Sequence, residues 1–96
     1  MAIVDDVAHQ RYVFAEDGAE AELVYELDGN RLILIHTEVP EALGGRGLGG
    51  QLVQAAVERA AAEGLTVVPW CPYARSWLAK HPDVATTVTI DWTPPA

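Results

Sequence analysis

Residues 44–50 read Gly-Gly-Arg-Gly-Leu-Gly-Gly and lie just ahead of a helical pattern. A loop of small residues feeding a helix exposes several backbone N–H groups, and the helix dipole adds partial positive charge there. Glycine lets the backbone approach a ligand with no Cβ in the way. Arg46 adds a charged contact. The chemistry expected of Gly44, Gly45, Arg46, Gly47, Leu48, Gly49 and Gly50 is therefore an anion cradle, with pyrophosphate as the anion. Two other places carry reactive side chains. His36 and Glu38 are two apart near the end of an apolar strand, so they share one face, which Leu32 and Leu34 continue. Either could accept a proton: histidine near neutral pH, glutamate if burial favours its protonated form. The bland alternatives are a hydrogen-bonded core histidine and a solvated strand end. Cys71 precedes Pro72 at the start of a second helix. Helix N-termini favour thiolate over thiol, although a lone cysteine is also often a small buried apolar residue.

Two nucleotide motifs are excluded by their own requirements. A Walker-type loop ends in Gly-Lys-Ser/Thr, whereas Gly49-Gly50 is followed by Gln51. Gly45-x-Gly47-x-x-Gly50 has the letters of the dinucleotide pattern, but Val68 to Pro72, where its acidic residue belongs, contains no acid.

The elements that must hold these residues follow from periodicity. His9 to Glu16 and Glu20 to Leu27 read as strands joined at Asp17-Gly18. In the second, Ala21, Leu23 and Tyr25 alternate with Glu20, Glu22 and Glu26, the pattern of a strand with one wet face. Asp28-Gly29-Asn30 turns the chain into Arg31 to Val39, a β-branched run expected to be buried on both faces and stopped by Pro40. These three strands form an antiparallel meander. A helix is predicted from about Gly47 to Glu63, with Leu48, Leu52, Ala56, Val57 and Ala60 on its apolar side and Gly64 ending it. Leu65 to Trp70 is a short strand, parallel to an earlier one because a crossover helix precedes it. Pro72 to Lys80 is a second helix, broken at His81-Pro82-Asp83, and Thr86 to Trp92 is a last strand. The fold class is α/β of the α+β type.

Composition bounds the function. The 96 residues suffice for one domain, taken here as 1–96, with a small real core. The net charge is −8, and all of it lies in residues 1–41, with ten acids against two bases; residues 42–96 are neutral. The second part can accept an anion that the first would repel. The acidic balance opposes nucleic-acid and anionic-membrane partners. No apolar run approaches the roughly 18 residues of a membrane span, and the N-terminus has no signal-peptide pattern. A single cysteine fits a reducing cytoplasm. His9 and His81 have no metal-ligand spacing with Cys71, so no metal is expected. The oligomeric state is left open.

One family combines these features. His36-Thr37-Glu38-Val39-Pro40, then Gly45-Arg46-Gly47-Leu48-Gly49 and Leu52-Val53, resemble the acetyl-CoA-binding segment of GNAT-type N-acetyltransferases. Gly64 to Pro72 and His81-Pro82 resemble the small stand-alone GNAT-like proteins, a minimal subgroup with a Cys-Pro motif. The similarity covers roughly residues 8–84. Gly47 and Gly49 match the glycines of the family loop, while Gly44 stands where Gln or Arg is usual.

The resemblance implies acetyl-CoA as cosubstrate and a primary amine, on a small molecule or a lysine, as acceptor. It places the pantetheine arm beside the strand ending at Val39, where the backbone of Thr37 to Val39 would face it, and one of those N–H groups could stabilise an oxyanion. His36 or Glu38 would take the proton of the ammonium. Cys71 would protonate the leaving thiolate or take the acetyl group covalently. Many family members use a tyrosine acid on the following helix; Trp77 lies near that place here, with Tyr73 close by. Two rivals remain: a non-catalytic acyl-CoA sensor or carrier, and a protein interaction module.

Overall fold

The computed structural model describes residues 3–96. Six strands form one sheet in sequence order: β1 (Val4–Asp6), β2 (Arg11–Glu16), β3 (Ala19–Asp28), β4 (Arg31–Glu38), β5 (Thr66–Pro69) and β6 (Thr89–Ile90). The first four are antiparallel; β5 and β6 run parallel to β4. The long crossover helix α1 (Leu48–Glu63) joins β4 to β5, and α2 (Pro72–Lys80) follows β5. A single turn, α3 (Pro82–Ala85), precedes β6.

The alternation in β3 does what its pattern implies. Ala21, Leu23 and Tyr25 are buried, and their neighbours on β2, Tyr12 and Phe14, are buried beside them. On α1 the stripe Leu48, Leu52, Val53, Ala56, Val57 and Ala60 lies in the same core, with Leu32 and Leu34 of β4, Val67 of β5, and Ala74 and Leu78 of α2. Each buried leucine there stabilises the fold by roughly 1.5–3 kcal/mol. Gly64 closes α1 in the left-handed region (φ 69°), and the next amide, Leu65 N, donates to the Ala60 carbonyl.

Several expectations need correcting. The meander has four strands, because Val4–Asp6 adds an edge strand that a three-residue run with two acids does not announce. Val7–His9 is a 3-10 turn, so β2 starts at Arg11 rather than His9. His81 to Asp83 does not simply break the helix; Pro82 begins another turn. The last strand shrinks from Thr86–Trp92 to Thr89–Ile90, since only those residues pair in register with β5, and Asp91 adds one further amide bond to the Val67 carbonyl. β4 is buried at Leu32, Ile33 and Leu34 but not beyond, and Ile35 is exposed.

The reason for that last change is a β-bulge. Val24 pairs with His36, but the next residue on β3, Tyr25, pairs with Leu34, so Ile35 is an extra residue on β4. The side-chain alternation slips by one at this point. Leu34, opposite Tyr25, faces the helices. So does Thr37, opposite Leu23. His36 and Glu38, opposite Val24 and Glu22, turn to the other face. They do not continue the face of Leu32 and Leu34, as uninterrupted alternation would require.

Candidate active site

The β4–β5 ladder stops early. Arg31 to Leu34 pair with Thr66 to Pro69 and no further. Pro69 has no N–H to extend the ladder. Trp70 N donates to the Val68 carbonyl at 3.0 Å, which turns the chain away, and Cys71 N donates to the Leu34 carbonyl at 2.8 Å, which pins the point of separation. Beyond it, His36 to Glu38 keep β3 on one side and have no β5 partner on the other.

The gap opens into a cleft of about 350 Å³. Its walls are Thr37 and Val39 from the end of β4, Leu43 from a 3-10 turn (Glu41–Leu43), the loop residues Gly44, Gly45 and Gly47, Leu48 and Gly49 at the start of α1, and Tyr73 of α2. No carboxylate is among them.

The backbone of the loop carries the chemistry. Gly45 and Gly47 have φ of 77° and 70°, a region that favours glycine. Gly47 is the N-cap residue of α1 and provides no side-chain cap, and no acid lies in the first turn. Gln51 N is the first amide of α1 to find a carbonyl, that of Gly47 at 3.2 Å. Among the described residues, none of the N–H groups from Gly45 through Gly50 donates to a protein oxygen. Such a run of free donors at a helix start, with the dipole behind it, suits an anion with several oxygens.

The predicted site residues separate into groups. Thr37, Val39, Gly44, Gly45, Gly47, Leu48 and Gly49 line the cleft. Gly50 does not. It packs on α2, and a Cβ there would run into the indole nitrogen of Trp77. Gly49 has both roles, since a Cβ on it would come within 2.7 Å of the Tyr73 ring. These two glycines are needed for helix–helix approach as much as for a ligand. The Arg46 side chain also leaves the cleft: its guanidinium binds both oxygens of Glu16 at 2.8 and 3.1 Å and lies over the Phe14 ring. That hydrogen bonding holds the Glu16 carboxyl below its ordinary range.

His36 and Glu38 stay together, with Nε2 3.7 Å from Oε1, but on the outer face and more than half exposed. Cys71 is buried in the core and is not a wall of the cleft. Its sulfur lies 3.4 Å from the Thr37 hydroxyl, which does face the cleft. Tyr73 is the titratable side chain in the lining that the loop and strand motifs miss. Burial pushes its phenol above the ordinary value, and Cys71 adds to the shift. The signal for it was its place one residue past Cys71-Pro72, in the first turn of α2. Trp77, by contrast, is occupied by packing: it stacks on His81 at 3.9 Å between ring centres, and His81 Nδ1 donates to the Trp77 carbonyl at 2.7 Å.

Residues 11–87 match the family model described as GCN5-related N-acetyl-transferase. The chain belongs to the GCN5-related N-acetyltransferase family. The NMR solution structure of a GCN5-like protein from Staphylococcus aureus superposes on it with a TM-score of 0.74, at 28% identity over 94% of this chain and 89% of that one. This bears out the GNAT-like fold and the resemblance to small members of the family. Over 63 residues, 65% of the chain, it is 38% identical to Protein NATD1 of Gallus gallus and of Homo sapiens. Those residues are 57% and 56% of the two relatives, so the match spans little more than half their length. In family terms, the early end of the β4–β5 ladder and the uncapped start of α1 are what give this acetyltransferase fold its cleft. No helix among the described residues is long and apolar enough to cross a membrane.

Proposed function

We propose that this GNAT-family protein is an acetyl-CoA-dependent N-acetyltransferase that acts on a primary amine, on a small molecule or a lysine. The observation that carries the reading is the run of unpartnered amides from Gly45 to Gly50 at the head of a cleft with no carboxylate in its walls. The donor set suits the cosubstrate: it offers N–H groups and no competing anion where a diphosphate belongs. Gly44, Gly45, Gly47, Leu48 and Gly49 would hold the diphosphate. The backbone of Thr37 and Val39, on the strand edge that β5 leaves free, would hydrogen-bond an extended amide-bearing arm. When bound, acetyl-CoA supplies a thioester open to attack by an amine.

The chain's own part is to orient and to move protons. His36 and Glu38 stand on the outer face of the strand that forms one wall, in water, where either can accept a proton from an incoming ammonium directly or through solvent. On the cleft side, the Thr37 and Tyr73 hydroxyls are the side-chain donors. Cys71 stands behind Thr37 and reaches the cleft through it. We take residues 1–96 as one acetyltransferase domain, and its single thiol suits a reducing cytoplasm.

A second reading is supported by one observation: among the residues mapped to the cleft wall, Tyr73 alone is titratable. A protein that binds acyl-CoA as a sensor or carrier needs nothing more. Titration of melting temperature with acetyl-CoA, followed by a panel of amines, separates the readings. Ligand at one hundred times its Kd adds about 2.7 kcal/mol, which is upward of roughly 10 °C for a domain of this size. A shift with acetylated product supports the enzyme, a shift without product supports the carrier, and no shift removes both.

A further inference from the structure

We propose that Glu16, at the end of β2, is a positioning residue for the glycine loop and that it acts by holding Arg46. The proposal rests on the reading that the loop amides bind the phosphates of CoA. In the run Gly44-Gly45-Arg46-Gly47 only Arg46 has a side chain. Glycines impose little conformation of their own, and Gly45 and Gly47 flank Arg46 with positive φ on both sides. Such a loop cannot keep its shape by local preference. Whatever grips Arg46 sets it.

The side chain is gripped twice, while the Arg46 carbonyl meets Gln51 Nε2 only at 3.5 Å. The guanidinium meets the Glu16 carboxylate through two parallel hydrogen bonds, 2.8 and 3.1 Å long. It also lies 5.4 Å from the centre of the Phe14 ring. Phe14 and Glu16 are two apart on β2 and share a face, and Phe14 is buried in the core. One side chain therefore ties the loop to the rigid part of the sheet. The tie orders the amides before a ligand arrives, so that binding does not have to meet that ordering cost. It also gives Arg46 a task other than the direct phosphate contact its charge suggests.

The test uses CoA itself, so that no turnover is involved, together with backbone NMR order parameters of residues 44–50 in the free protein. Glu16→Gln keeps the shape and removes the charge. It is expected to raise the Kd for CoA about fivefold, the upper range for one exposed charge pair, and to lower the order parameters of the loop amides. Arg46→Gln is expected to do the same, and the double variant to be no worse than either single, as a thermodynamic cycle requires of one shared interaction. Unchanged loop order parameters in Glu16→Gln overturn the proposal. So does additive loss in the double variant, because Arg46 would then touch the ligand by itself. Tighter CoA binding in Glu16→Gln overturns it too, since Glu16 would then compete with phosphate for Arg46. If the wild-type protein binds no CoA, the reading of the site fails, and the order parameters alone still decide whether Glu16 fixes the loop.

Discussion

The Thr37 hydroxyl lies 3.4 Å from the Cys71 sulfur, across the point where β4 and β5 part. Thr37 faces the cleft and Cys71 does not. The bulge at Ile35 makes the pairing possible, because it turns Thr37 rather than His36 toward the helices. If Cys71 serves acetyl transfer, it does so through its neighbour. Cys71→Ala is expected to leave CoA affinity nearly intact and to lower transfer, and Thr37→Val to lower transfer in the same way. Steady-state rates with an amine acceptor check this. Unchanged turnover in Cys71→Ala would assign the thiol to the core alone.

The glycines of the loop and those of the helix are expected to fail differently. Gly47→Glu places a carboxylate and a strained positive φ at the anion cradle and should abolish CoA binding. Gly50→Ala instead pushes a methyl group into Trp77. It should cost about 1–3 kcal/mol of stability, the usual range for overpacking, and leave the affinity of the folded fraction close to wild type. Chemical denaturation beside isothermal titration separates the two effects.

For proton removal from the acceptor, His36→Ala should shift the pH–rate profile of transfer. Glu38→Gln should shift it as well if the pair of side chains shares the proton. A profile that does not move in the first variant would remove His36 as the base.

At the far end of α1, Arg59 Nη1 donates to Asp5 at 3.1 Å and to the Tyr25 hydroxyl at 3.0 Å, and Tyr25 donates to Asp5 at 2.6 Å. This cluster fastens β1 and α1 to the sheet. Removing Arg59 by Arg59→Met leaves Asp5 short of a donor and should cost about 1–3 kcal/mol, read by urea unfolding.

Tyr12, whose ring lies tilted against that of Tyr25, gives the same region an alkaline limit. Burial, with the charge of Asp5 adding to it, pushes the Tyr12 phenol up to about 12 from 10.0. A group whose pKa is raised by folding stabilises fully below its unfolded value, and that contribution is lost as pH rises toward the folded value. Stability should therefore fall between pH 10 and about 12. Urea midpoints across that window, beside the ultraviolet titration of tyrosinate, check the sign.

Much of this arrangement was legible in the residues. Ala21, Leu23 and Tyr25 gave away the wet and dry faces of β3, and Gly64 marked the end of α1, because each signal is local. The bulge was not legible: nothing in Arg31 to Glu38 distinguishes an even alternation from one with Ile35 squeezed out, and the choice is made by the register with β3. That single slip moved His36 and Glu38 to the outer face and put Thr37 in the cleft. The pairing of Arg46 was hidden for a related reason. Its charge is visible in the sequence, but its partner Glu16 is thirty positions away. The packing of Gly49 on Tyr73 and of Gly50 on Trp77 was not legible either, because the tight approach of α2 is a tertiary fact.

That approach has a practical consequence. Gly49 forms part of the cleft floor while its other side abuts Tyr73, and Gly50, one step deeper and outside the cleft, abuts Trp77. The two helices are thus geared together at the mouth of the site. Anyone wishing to widen the cavity for a bulkier acyl chain should trim the ring at 73 and leave 49 untouched. Growth at 49 would push against the Tyr73 ring and take the entrance with it.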